Sequence, residues 1–373
     1  MWKYLPAIVL ILLSLLSIFR APTNFLWKVS IVITEFSWIP LLLTLIVIGI
    51  AWYFYPGAYG LHACYVLALI LFLLPVSRAY SESSKLEKEL QSEFGNKTGK
   101  DPKSKPYSFW NSFGLGGEEH SYEVMSYAEF DGKEYNLHFY EGNTKEEAPL
   151  VIVVHGGSWA AGDANQIPEL NAYLANRGIH VAAINYRFAP KYKYPSQVED
   201  VKLALESVKS LLKSRGLPVS KVILLGRSAG GQIVLQAGYG DLKDEVDGIV
   251  SFYAPADMLW GAKIPTNDWV LDVDKVLKDY IGCSVKENET AYLEASSPQM
   301  VDENTPPTLI IHGKIDAMVS HGHSIRLMKA LKKHNVKSYL IELSSATHGC
   351  DFNFNGPSGQ ISTFAIERFI ANL

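Results

Sequence analysis

Val222-Ile223-Leu224-Leu225-Gly226-Arg227-Ser228-Ala229-Gly230-Gly231 is the stretch on which the reading of this chain turns. A short apolar run of strand character ends in a Gly-x-Ser-x-Gly turn, the arrangement that lifts a serine onto a sharp bend between a strand and a helix. A serine hydroxyl is a poor nucleophile in water, so an enzyme that uses one must hold it exposed where a base can take its proton. Gly226 and Gly230 suit such a bend, because neither carries a Cβ where strand and helix close on each other. Ser228 is therefore the candidate nucleophile. Glycine and serine also cluster at ordinary strand-to-helix joins, so the pentapeptide needs partners elsewhere in the chain.

Those partners are present on both sides. The strand-like Leu150-Val151-Ile152-Val153-Val154 is followed by His155-Gly156-Gly157-Ser158-Trp159, a glycine pair whose backbone N–H groups can face a developing oxyanion. Gly156, Gly157 and Ala229 are the expected donors. In enzymes built on this serine turn the acid and the base follow in the order Asp or Glu, then His. Pro306-Pro307-Thr308-Leu309-Ile310-Ile311 reads as a strand leading to His312-Gly313-Lys314-Ile315-Asp316, and the alternating Val336–Leu343 leads to Ser344-Ser345-Ala346-Thr347-His348-Gly349. Asp316 is the expected acid and His348 the expected base.

Other candidates fit less well. His155 and His312 stand at strand ends, where bracing the turn is the expected task, and His321 and His323 read as the start of a helix. Asp351 lies on the histidine's own loop, so reaching His348 Nδ1 needs an unusual turn. Cys350 is near His348, but nothing around it resembles a site that activates a thiolate.

From about Glu118 to its end the chain resembles the α/β-hydrolase esterases. The groups with a His-Gly-Gly oxyanion loop are the most similar: hormone-sensitive-lipase-like and feruloyl-esterase-like (BD-FAE) carboxylesterases and prenylcysteine methylesterases. Beyond the segments above, Asn185-Tyr186-Arg187-Phe188-Ala189-Pro190 and Tyr194-Pro195 with Asp200 carry the likeness. Ser158 stands where the lipase-like group usually has a third glycine, which favours the feruloyl-esterase-like or methylesterase branch. The resemblance implies ester hydrolysis through an acyl-enzyme, with a small-molecule or lipid-like ester as substrate. A serine peptidase or amidase of the same fold, and a catalytically silent membrane scaffold, are the alternatives.

The coarse pattern agrees with an α/β fold. Glu123–Phe130 and Tyr135–Tyr140 flank Asp131-Gly132, a hairpin signal. Further strands are expected at Leu150–Val154, Ile179–Tyr186, Val222–Leu225, Asp247–Phe252, Thr308–Ile311 and Val336–Leu343, with helical spacing over Gln197–Ser214. Alternating strands and helices predict a mostly parallel sheet with helices on both faces, occupying residues 118–373. Ligands bind outside the carboxyl ends of such strands, which is where every candidate residue lies. At about 254–300 the alternation breaks down into a lid-like insertion, in which Met258, Leu259, Trp260 and Trp269 are candidates to line a pocket. Trp159 and Trp260 are the expected substrate contacts.

The first eighty residues have another character. Leu5–Phe19, Val29–Tyr55 and Leu61–Val76 are apolar stretches, and a membrane-spanning helix needs ~20 mainly apolar residues. Three spans are expected, with two spans plus an interfacial segment as the alternative, because Glu35, Trp38 and Pro40 interrupt the middle stretch. With three spans, Arg20, Lys28, Arg78, Lys85 and Lys88 share one side and Lys3 lies on the other, so the catalytic part is expected in the cytoplasm. Residues 81–117 read as a polar linker, helical near Ser83–Phe94.

Bulk composition fits one hydrolase domain plus an anchor. The chain has 373 residues, a net charge of −4 and 3 cysteines, so nothing points to nucleic acid or to a disulfide framework. No phosphate loop, zinc pattern or dinucleotide fingerprint accompanies the serine turn, and no cofactor or metal is expected. Oligomeric state leaves no trace in the sequence.

Overall fold

Each apolar or alternating run becomes a strand of one sheet. In the computed structural model, which describes residues 2–373, the strands are β1 (Glu123–Phe130), β2 (Lys133–Tyr140), β3 (Ala148–Val154), β4 (His180–Ile184), β5 (Val219–Arg227), β6 (Gly248–Phe252), β7 (Thr308–Gly313) and β8 (Ser338–Leu343). Their spatial order is β1-β2-β4-β3-β5-β6-β7-β8. Strand β2 runs antiparallel to both neighbours, and all other pairs are parallel. The central strands are buried on both sides, as parallel strands must be when helices cover both faces.

The helices divide between the two faces. In the N-terminal region lie α1 (Leu5–Ser14), α2 (Asn24–Glu35), α3 (Trp38–Phe54), α4 (Tyr59–Phe72) and α5 (Leu74–Phe94). The sheet region adds α6 (Pro168–Asn176), α7 (Ser196–Ser214), α8 (Ala229–Tyr239), α9 (Met258–Gly261), α10 (Val273–Ile281), α11 (Glu289–Glu294), α12 (Gly322–Lys333) and α13 (Pro357–Ala371). Leu90 of α5, Leu174 of α6 and Phe364 of α13 share one core with Val153 and Ile223, while Val201 of α7, Ile233 of α8 and Leu331 of α12 share the other with Ile152 and Leu224. Alternate residues of the same strands feed the two cores.

Two expectations for the N-terminal third need correction. Residues 81–117 do not form a linker. Leu86, Leu90 and Phe94 recur every four residues and make an apolar stripe, which α5 buries under α13, with the Phe94 and Phe369 rings 4.9 Å apart. The chain that follows stays on the domain, where the Lys103 and Ser108 N–H groups donate to Glu367 and Gln360.

Val29–Tyr55 is not one helix either. It breaks by 85° between α2 and α3, because α2 turns its buried face, with Ile31, Ile33 and Glu35, against the sheet domain. Beyond the break, α3 and α4 join at a tight turn and pack with α1. Ala7, Ala51, Leu61 and Tyr65 fill the space between them, and the Ser17 hydroxyl donates to the Leu71 carbonyl. Helices α4 and α5 continue one another, so that Tyr59–Phe94 forms a 36-residue helix long and apolar enough to cross a membrane; α2 and α3 meet the same test only as a bent pair.

Candidate active site

The site is assembled at the carboxyl ends of β3, β5, β7 and β8. Strand β5 ends at Arg227, and Ser228 follows with φ 52° and ψ −118°, a left-handed conformation for a residue that has a side chain. The turn is forced by close packing. A Cβ on Gly226 would strike the Gly230 carbonyl, and one on Gly230 would strike the Val154 carbonyl. The Ser228 N–H is fixed by the Phe252 carbonyl at 3.0 Å. Strain of this kind costs of order 1–3 kcal/mol and persists only where the surroundings impose it.

Ser228 Oγ lies 2.8 Å from His348 Nε2, and His348 Nδ1 lies 2.7 Å from Asp316 Oδ2. These three residues come from loops spread over 120 positions of the chain, yet they form one continuous chain of hydrogen bonds. The other Asp316 oxygen accepts the N–H groups of Met318 and Val319 at 2.8 and 2.9 Å. Burial alone would raise the Asp316 carboxyl pKa, but the electrostatic pull of the adjoining His348 and the bonds from His312 and His348 hold it well below the usual carboxylate range. Asp316 is thus an anion able to orient the imidazole and to stabilise its protonated form.

The competing groups are occupied elsewhere. His155 is buried and stacked on Tyr186 at 4.3 Å, and burial lowers its pKa to about 4, so it is neutral and braces its loop. His312 spans Ser324 Oγ and the Val319 carbonyl, and its Nε2 also lies 3.2 Å from Asp316 Oδ2, so it supports the acid. His323 accepts the Asp257 N–H, and His321 faces Glu342. Asp351 is bound not to His348 but to the buried Arg227 guanidinium and the Tyr253 hydroxyl. Burial drives the Cys350 thiol well above its ordinary pKa, which rules against a thiolate.

The oxyanion loop differs in one respect from expectation. The Gly156 N–H donates to Gln166 Oε1 at 2.8 Å and is therefore spent. No acceptor lies on the N–H groups of Gly157 or Ala229 among the described residues, and Ala229 is the first residue of α8, where the helix dipole adds to its pull on a negative oxygen. Gln166 lies ten residues beyond the glycine pair in a loop without periodicity, so no sequence signal marks it.

A narrow, mostly apolar cavity of about 70 Å³ adjoins Ser228 and His348. Trp159 forms part of its wall, held by a bond to Gln232 Oε1 and by stacking on Tyr280 at 4.1 Å. The insertion does line the cavity: of the expected residues Met258 is in the wall and Leu259 is not, and Ile264, Leu271 and Leu277 join it. Trp260 does not line it. Its ring covers Gly322 and packs edge-on against His323, outside the wall, and Trp269 is 79% exposed. Among the remaining motif residues, Arg187 clamps Asp200 at 2.8 Å and carries the Ser196 carbonyl, so this stretch shapes the chain rather than the chemistry.

Over part of its length the chain is similar to known proteins. The chain is 27% identical to the probable carboxylic ester hydrolase LipM of Mycobacterium tuberculosis over 61% of its own length and 54% of LipM. With esterase LipC of the same organism it shares 29% identity over 55% of this chain and 53% of LipC. The chain thus spans about half the length of these curated relatives. A hyperthermophilic esterase from the archaeon Pyrobaculum calidifontis superposes with a TM-score of 0.59 at 20% identity, over 79% of this chain and 93% of that one, which establishes the α/β-hydrolase fold. The BD-FAE family profile matches residues 137–331, from β2 through most of α12 and including the serine turn and Asp316, and the chain belongs to the BD-FAE family.

Proposed function

We propose that this protein is a membrane-anchored carboxylic ester hydrolase that works through Ser228, His348 and Asp316. The unbroken hydrogen-bond chain at 2.8 and 2.7 Å carries the proposal. His348 takes the Ser228 proton as the hydroxyl attacks the ester carbonyl, and Asp316 steadies the imidazolium that results. The developing oxyanion is received by the N–H groups of Gly157 and Ala229. His348 then gives its proton to the leaving alcohol, and a water repeats the sequence to free the acid from the acyl-enzyme. That two curated relatives are called a carboxylic ester hydrolase and an esterase supports the choice of ester over amide.

The cavity supports a short acyl group. At ~10–15 Å³ for each water-sized group it has room for roughly five to seven non-hydrogen atoms, and its walls are mostly apolar. Across p-nitrophenyl esters, kcat/KM is expected to peak at acyl chains near butyrate; a steady rise towards long chains would contradict this. Substitution Ser228→Ala is expected to lower kcat by about 10⁴–10⁶-fold while the fold survives. Near-normal turnover in that variant would refute the mechanism.

The anchor is α1, α3 and α4. Their outer faces carry Ile8, Leu12, Leu43, Leu45, Ile50, Val66 and Ile70, each about half exposed, a surface suited to lipid rather than water. Trp2, Trp52, Tyr53 and Tyr59 are exposed at the end away from the sheet, as an interfacial belt would be. The 17 residues of α3 reach about 26 Å, close to the ~30 Å of a bilayer core. Arg20, Lys28 and Arg78 near the sheet domain favour a cytoplasmic active site. Retention in the membrane pellet after alkaline carbonate extraction is the expected result, and release into the supernatant would contradict it.

A further inference from the structure

The loop that carries His348 runs from Ser344 to Gly356 between β8 and α13, and much of what holds it belongs to the N-terminal segment. The Trp27 indole N–H donates to the main-chain carbonyl of His348 itself, at 2.9 Å. One turn further on, a Cβ on Gly349 would lie 3.7 Å from Ile31 Cδ1. At the end of α2 the Glu35 carbonyl accepts from Asn353 Nδ2 at 2.7 Å, and its carboxylate accepts both the N–H and the hydroxyl of Ser358. At the loop's start, Arg78 reaches the Ser344 carbonyl and Ser345 Oγ, the Ser344 N–H donates to Glu82, and the Ser345 hydroxyl donates to the Ser17 carbonyl. From within the sheet domain the loop is held by the pair of bonds to Asp351, from Arg227 and Tyr253, by the Ile315 N–H on the Ala346 carbonyl and by Gln360 Nε2 on the Asn355 carbonyl.

We propose that α2 is a positioning element of the active site, with Trp27 fixing the main chain of His348, so that turnover requires the N-terminal helices to be docked on the sheet domain. The inference rests on the reading of Ser228, His348 and Asp316 as a triad. The imidazole must meet Ser228 Oγ and Asp316 Oδ2 at once, and its only covalent support is the backbone that Trp27 grips. A misplacement of about 1 Å in such a geometry costs up to ~10²-fold in rate. Trp27 bonds only the main chain of His348, touches none of the reacting atoms and does not itself line the cavity, so its effect falls on the chemical step rather than on substrate binding.

The test uses the full chain in detergent micelles. Trp27→Phe keeps an aromatic ring but removes the indole N–H together with the outer part of the bicycle beside Gly349, a loss of ring that the control below matches. It is expected to lower kcat about tenfold, to slow fluorophosphonate labelling by the same factor, and to leave KM and the thermal midpoint unchanged. Trp38→Phe is the matched control: the Trp38 indole N–H is buried with no acceptor among the described residues, and its loss is expected to leave kcat within twofold. An unchanged kcat in Trp27→Phe, an equal loss in Trp38→Phe, or a loss that follows a fall in thermal midpoint would each overturn the proposal. A wild-type chain that neither hydrolyses esters nor takes up the probe would instead overturn the triad, and the positioning role with it.

Discussion

The serine turn and the histidine loop bring their side chains to within 2.8 Å of each other, but they are held by different means. Ser228 is fixed from inside. Gly226 and Gly230 let strand β5, helix α8 and the end of β3 pack backbone against backbone, and no side chain could enter without pushing them apart. The His348 loop has inner tethers as well, in Asp351, in the Ile315 N–H that donates to the Ala346 carbonyl and in Gln360, but many of its bonds reach outward to Ser17, Trp27, Glu35, Arg78 and Glu82. Close packing of backbone leaves a turn no freedom, whereas a loop held by side-chain bonds can be loosened one bond at a time. Ser228 is therefore rigid by construction, whereas His348 depends in part on bonds from the N-terminal helices.

Substitutions can break that contrast at either end. The largest effect is expected from Asp316→Asn, which keeps the shape but loses the charge behind His348: kcat should fall by about 10⁴-fold, and a loss under tenfold would remove Asp316 from the chemistry. Gly230→Ala comes next. The added methyl meets backbone that cannot yield, so the cost in denaturant unfolding should reach or exceed about 3 kcal/mol, with most activity lost.

Asp351→Asn separates structure from chemistry. It leaves the Arg227 guanidinium buried without its counter-charge, which should cost about 3–5 kcal/mol of stability, while kcat per folded molecule falls by less than tenfold. Asp316 also predicts an acid slope. Its folded carboxyl is held below its unfolded value, so its ionisation stabilises the fold above the unfolded pKa of about 3.9 and that contribution fades as pH falls below it. The Asp316→Asn chain should therefore lose less stability than wild type on acidification below pH ~4. The smallest effect belongs to Trp260→Phe, which lies outside the cavity and should change KM less than twofold.

The same contrast decides how much could be read from the sequence. Motifs whose meaning is local, the Gly-x-Ser-x-Gly turn, the His-Gly-Gly loop and the strand ends that carry Asp316 and His348, were legible because their residues must stand next to one another in the chain. The strands followed from periodicity, with bounds within a few residues of those observed. What stayed hidden depends on distant partners. Gln166 occupies the Gly156 N–H, Trp260 turns towards His323 and Gly322, and α2 leaves the apolar stretch Val29–Tyr55 to lie on the histidine loop. Leu86, Leu90 and Phe94 do carry a helical stripe through the start of residues 81–117, but the polar residues around them mask it.

Identification of the residue that reacts with a fluorophosphonate, by mass spectrometry of the full chain labelled at neutral pH, probes the site most directly. A single adduct on Ser228, formed at a rate that collapses in His348→Ala, is the predicted result. An adduct on another residue, or labelling of Ser228 that is indifferent to His348, would contradict it.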